Sequence, residues 1–183
     1  MTRDQQDIWE REKRVVRQLR DGLGKPVDQA IVETVAILRL LGFHTDSSCG
    51  GHFDRAASPY VAVRAPSNQA DRRRIEEAGT QGEKRRCKNQ AFQHNAGELA
   101  RLLPLVERFY ETRNVPQSRR LTCQGFGLIG YRLTAQSADL VHVASKDGRH
   151  ELVEAQRQEF DAFTEFMKAE FFGTKNDAPP RAA

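Results

Sequence analysis

No run of apolar residues in this chain approaches the roughly 20 that a membrane-spanning helix needs. Its first residues, Met1-Thr2-Arg3-Asp4-Gln5, lack the apolar core of a secretory signal. The expectation is a cytoplasmic protein with no membrane partner. Cysteine is scarce. Three residues, an odd number at wide spacing, exclude a disulfide framework. Cys49, Cys87 and Cys123 are then buried thiols, metal ligands or reactive groups, and their spacing does not say whether they meet. The lysine and spacing of a Walker-type phosphate loop are missing, and there is no internal repeat.

What is present describes one well-filled core. A chain of 183 residues favours a single domain. Apolar residues at 38% and charged residues at 30% suit a globular protein with a thick polar shell. The net charge of +4 is too small to establish nucleic-acid binding, so the placement of charge matters more.

Asp4 to Arg20 has Ile8, Val15, Val16 and Leu19 at near-helical spacing, which predicts an amphipathic helix ending at Asp21-Gly22. Trp9 anchors it to the core or to a partner, and the helix is peripheral to a domain spanning 1–173. Val27 to Leu41 predicts a helix buried on much of its circumference, with Asp28 serving its first turn and Gly42 ending it. Strands are expected near 43–48 and 60–64. A short polar helix follows at Asp71 to Ala78, then a long one at 83–113 that Pro104 kinks or divides. Its apolar face is Phe92, Ala96, Leu99, Leu103, Val106 and Tyr110. Residues 119–134 read as a bent strand or hairpin in which Gly125, Gly127 and Gly130 allow a bulge or close approach. Leu140 to Val143 reads as another short strand, Asp147-Gly148 as a turn, and 150–172 as a last helix with an apolar aromatic stripe. Residues 174–183 read as a disordered tail. The fold expected is α+β: a small mixed or antiparallel sheet covered by three main helices.

The stretch Thr45-Asp46-Ser47-Ser48-Cys49-Gly50-Gly51-His52 stands apart. It reads as a loop between two strands, and few loops need such a mixture for packing alone. Glycines let backbone approach a ligand, and successive free N–H groups can form an anion-binding nest. Asp46, Ser47, Ser48, Gly50 and Gly51 therefore predict a site for a small anionic, nucleotide-derived ligand. His52 and Arg55 would add positive charge, and Arg64 would reach the same mouth. If the protein is an enzyme, Cys49 and His52 are the catalytic candidates, as a thiolate–imidazole pair or on a metal. Cys49-x-x-His52 has ligand-like spacing, but a closed zinc site wants four ligands. Cys87 and His94, seven apart on a helix, do not share a face, so no metal is assigned. Neither a cofactor nor an oligomeric state follows from these residues.

A second cluster is basic. Arg72, Arg73, Arg74, Lys84, Arg85, Arg86 and Lys88 could grip the phosphates of RNA or DNA. Asp71, Glu76, Glu77 and Glu83 dilute them, so a solvated helix face is the competing reading.

Val27-Asp28-x-x-Ile31 with the Thr45-to-His52 stretch resembles the N-terminal part of the tRNA wybutosine-synthesis methyltransferase family. Ser47, Ser48, Cys49 and Gly51 match position by position, and His52 stands where that family has arginine. The stretch is also similar to small bacterial and phage proteins carrying a Ser-Cys-x-Gly-His loop before a short strand. The likeness covers residues 27–64. It implies a small layered domain whose loop contacts a nucleotide-like ligand and, on the enzyme reading, an activity on RNA.

Overall fold

The computed structural model describes residues 1–20, 24–127 and 130–173. The expected helix end at Asp21-Gly22 and the tail at 174–183 lie outside the described residues. Five α-helices pack with a four-stranded antiparallel sheet: α1 Arg3–Gln18, α2 Val32–Leu40, β1 His44–His52, β2 Ala57–Arg64, α3 Asn68–Glu77, α4 Gln81–Glu111, β3 Leu121–Phe126, β4 Gly130–Ala135 and α5 Lys146–Gly173. The strand order is β1-β2-β4-β3, with every neighbouring pair antiparallel. The fold is α+β. No described helix is long and apolar enough to cross a membrane.

Strand register divides the side chains between two faces, because successive residues of a strand point opposite ways. Val61 pairs with Leu133, and Leu121 with Ala135. Val61, Leu121 and Leu133 join α2, α4 and α5 in one core, where Ile37, Leu38, Leu102, Phe109, Phe160, Phe163 and Met167 are buried. The other face carries Tyr60, Ala62 and Arg64 of β2, Arg132 of β4, and Ser47 of β1, which pairs with Ala62. The aromatic stripe of α5 is core, as its spacing implied. Helix α1 is docked against α2 rather than peripheral: Trp9 and Val16 are buried, and the ammonium groups of Lys13 and Lys168 lie over the Trp9 ring. Ile8, expected on the apolar face, is exposed.

Several expectations need correction. The stretch Ser47–His52 is strand, the second half of β1, because pairing with β2 supplies the backbone partners that its small polar residues do not advertise. The turn falls later, at 53–56. Leu140 to Val143 is not a strand: Ala138–His142 is a 3₁₀ turn. Asp147-Gly148 lies inside the first turn of α5, where Ser145 Oγ accepts from the Gly148 N–H. Of the two outcomes expected at Pro104, division does not occur: helix α4 runs unbroken through it, at an exposed position. Its buried face is Ala91, Asn95, Leu102, Val106 and Phe109 rather than the face through Phe92 and Leu103, both of which are exposed. The polar Asn95 hid this face. Fully buried, it accepts from the Ala65 N–H and donates to the Ala91 carbonyl.

Candidate functional site

Strand β1 is an edge strand, and the residues expected to form one loop site lie along its length in two groups. A bulge between Thr45 and Ser47 leaves Asp46 outside the pairing with β2. Bulges re-aim a side chain, and the Asp46 carboxylate accepts from both Arg64 Nε and Arg72 Nη2 at 3.3 Å. Asp46 thus serves the two arginines instead of repelling an anion. Arg64 is 4% exposed, gives a second hydrogen bond to the Phe126 carbonyl and lies over the Phe126 ring. It lies beside His44, Thr45 and Asp46 as a braced group of the sheet's outer face.

Two clefts open beside this bulge, both lined by His44, Thr45 and Asp46. One, of about 320 Å³, is bounded by Arg64, Asn68 and Arg72. The other, of about 300 Å³, lies between β1 and the residues that flank the α1–α2 connection. Arg20, Lys25 and Arg39 supply its cations, Ser47 and Ser48 its hydroxyls, and Tyr60 a ring. The Arg20 guanidinium is oriented by the carbonyls of Arg17 and Leu19, which satisfy N–H donors without neutralising the charge. Arg39 Nε is paired with Glu12 at 2.6 Å. On the outer face beside the cleft, the Tyr60 and Phe126 rings are 5.3 Å apart and Arg132 lies over both.

The far end of β1 is arranged differently. The Gly50 N–H, expected to hold a ligand anion, donates to Asp28 Oδ2 at 2.9 Å, and His52 Nε2 lies 3.1 Å from the same oxygen. The Gly51 N–H donates to Cys49 Sγ at 3.4 Å. The carbonyls of Gly50 and Gly51 accept from Arg157 Nε and Nη2, both at 2.9 Å, and that guanidinium stacks on Phe53. The expected anion-binding nest does not form: the stretch is strand, and the Gly50 N–H is taken by a carboxylate of the same chain. Arg55 is not part of this arrangement. That side chain is exposed and lines a separate recess with Tyr60, Arg132 and His142.

Burial pushes the Cys49 thiol up, and the charge on Asp28 pushes it further, against the Gly51 N–H and Arg55. A thiol held protonated is poorly prepared as a nucleophile, and His52 turns to Asp28. Cys49, Cys87 and Cys123 are all free thiols. Cys123 is pushed up to about 12 by burial.

Two residues at this end were misjudged or missed. Asp28 was expected to serve its own helix, yet it makes no side-chain cap bond to the 3₁₀ turn Gln29–Ile31 that it precedes. Arg157 belongs to the polar side of an amphipathic helix and carries no local signal. Among the basic residues, Arg72 is tied to Asp46 and Arg74 to Asp71, while Arg73, Arg85 and Arg86 are exposed. His94 pairs with Asp71 and does not join Cys87 in a site.

Comparisons of the chain with protein-family models, with curated proteins and with solved structures found no match.

Proposed function

We propose that the chain binds a small anionic, nucleotide-derived ligand in the cleft between β1 and the α1–α2 connection. One observation carries this reading: Arg20, Lys25 and Arg39 line a recess where Asp46, the one carboxylate among the described lining residues, is itself engaged by Arg64 and Arg72, and where Arg39 is the cation paired with Glu12 from outside the lining. Cations around a concave, partly screened space attract anions more strongly than the same charges on an open surface. The Ser47 and Ser48 hydroxyls would donate to phosphate oxygens, and the Tyr60 ring would lie against a base. A volume of about 300 Å³ is at the low end for ligand pockets and suits a mononucleotide better than a dinucleotide.

The test is calorimetric titration with nucleoside mono- and diphosphates and with ribose phosphate. Ser47→Ala and Arg20→Ala should each weaken nucleotide binding by about tenfold, the worth of one charge-assisted hydrogen bond. Tyr60→Leu should weaken nucleotides while sparing ribose phosphate. Equal binding by all four proteins would contradict the reading.

A second reading, nucleic-acid binding through Arg72 to Lys88, is favoured by one feature. Phe92, one turn beyond Lys88, is 51% exposed and pairs with Tyr131 at 6.2 Å, so an aromatic surface adjoins the cations. Binding there would weaken steeply with salt, and Arg73→Ala with Arg85→Ala would reduce that slope. The enzyme alternatives have less support. Methyl transfer to RNA rests on the resemblance of residues 27–64 alone, and thiol chemistry is opposed by the raised Cys49 thiol. Turnover of bound ligand to product, lost in Cys49→Ser, would bring them forward.

A further inference from the structure

We propose that Asp28, Cys49 and His52 form a three-ligand site for a divalent zinc-class ion. It stands independently of the nucleotide cleft and uses the other end of β1. The three ligand atoms lie within 4.8 Å of one another. One carboxylate, one thiol and one imidazole make the mixed oxygen, sulfur and nitrogen set that borderline-soft Zn²⁺ accepts.

The distances suit a tetrahedral ion. Zinc bonds of about 2.0–2.1 Å to nitrogen and oxygen place two such ligands about 3.3 Å apart, and a sulfur bond of about 2.3 Å places the thiolate about 3.5 Å from each. His52 Nε2 and Asp28 Oδ2 are already 3.1 Å apart. Since all three atoms lie within 4.8 Å of one another, the sulfur has at most about 1.3 Å to close.

The surroundings are those of a supported site. Ligands to a metal are held by hydrogen bonds of their own. Here the Gly50 N–H fixes the Asp28 carboxylate, and the Gly51 N–H points at the Cys49 sulfur. Arg157 locks the carbonyls of both glycines, so the backbone carrying Cys49 and His52 is tied to α5. Glycine at 50 favours this approach, since a Cβ there would stand 3.0 Å from Ala30 Cβ and 3.1 Å from Asp28 Cβ, and these neighbours would have to give by a few tenths of an ångström. On binding, the Cys49 S–H bond breaks, its proton goes to solvent, and the thiolate electron pair forms the sulfur–metal bond. Three protein ligands leave a fourth position open, as in sites where a metal holds water or substrate.

The experiment is titration of the tag-free, chelator-treated full chain with Co²⁺, followed by displacement with Zn²⁺. One equivalent of cobalt should give a thiolate-to-cobalt charge-transfer band in the near ultraviolet that zinc abolishes. Cys49→Ser should remove the band. Asp28→Asn and His52→Gln should each weaken cobalt binding by more than about 100-fold, beyond the usual effect of an outer-shell change. Circular dichroism selects the variants that remain folded; if Cys49→Ser does not, Cys87→Ser and Cys123→Ser take its place and should each keep the band, whose loss in either would overturn the assignment to Cys49. Absence of the band in the wild type, or its survival in folded Cys49→Ser, would overturn the proposal and leave Asp28 and His52 as an ion pair only.

Discussion

The guanidinium of Arg64 occupies the space that a side chain at Gly130 would take: a Cβ there would lie 0.9 Å from Arg64 Nη1. Gly130 of β4 is thus what lets an arginine lie almost fully buried on the outer face of the sheet. Gly130→Ala should push the guanidinium off Phe126 and away from Asp46. The loss should be about 1.5–3 kcal/mol, the range for hydrogen bonds to charged groups. Denaturant titration of Gly130→Ala, Arg64→Ala and the double variant checks this. The two effects should fall short of additive, because both remove the same bracing.

Gly51 is the position where backbone geometry is most demanding. Its φ is +81°, and a Cβ would lie 2.8 Å from Val153 Cγ1 and 3.0 Å from Pro59 Cδ. Gly51→Ala combines left-handed backbone strain with overpacking, so a loss of about 2–4 kcal/mol is expected. Gly125→Ala, where a Cβ meets open space, should change stability far less. Paired thermal melts measure the contrast.

Asp71 gives the clearest pH dependence. It is 2% exposed, accepts from Ser67 and Arg74, and lies 2.9 Å from His94 Nδ1. Burial alone would raise this carboxyl, but the His94 and Ser67 hydrogen bonds and the charges of His94 and Arg74 outweigh it and hold it below its ordinary value. A carboxyl that titrates lower folded than unfolded binds fewer protons in the folded state. Its stabilisation is therefore complete above the unfolded value of about 3.9 and is lost as pH falls through the lower folded value. Asp71→Asn should destabilise the protein at pH 7 by about 2 kcal/mol, the worth of a hydrogen bond to a charged group. The gap from wild type should narrow in strong acid. Urea midpoints across the acid range test it.

The thiols should react slowly. Burial raises both Cys49 and Cys123, so alkylation of either in the folded protein should lag well behind the unfolded chain at neutral pH. Mass-spectrometric peptide mapping after a timed pulse of alkylating agent reads the two rates. Faster labelling of Cys49 than in the unfolded chain would restore it as a nucleophile.

The residues show how much of this was legible in sequence. The helices, the 119–134 hairpin and the core stripe of α5 follow from local periodicity, which the hydrophobic core enforces directly. The strand through Ser47–His52 does not, because its identity comes from pairing with β2 and not from its own propensity. Asn95 shifted the buried face of α4 because a core amide looks polar until its partner, the Ala65 N–H, is known. In the candidate site, Asp46, Ser47, Ser48 and Arg64 gather at two clefts and Cys49 with His52 at a third place. Asp28 and Arg157, which organise that third place, lie 22 and 107 residues from Gly50 in the chain. Only folding brings them in.

The most direct test of the central claim is backbone amide chemical-shift mapping of the full chain titrated with a nucleoside monophosphate. Shifts at Lys25, Thr45 to Ser48 and Tyr60, saturating together and needing about tenfold more nucleotide in Arg20→Ala, are the predicted result. Shifts confined to Arg72 to Lys88, or no shift at millimolar nucleotide, would contradict it.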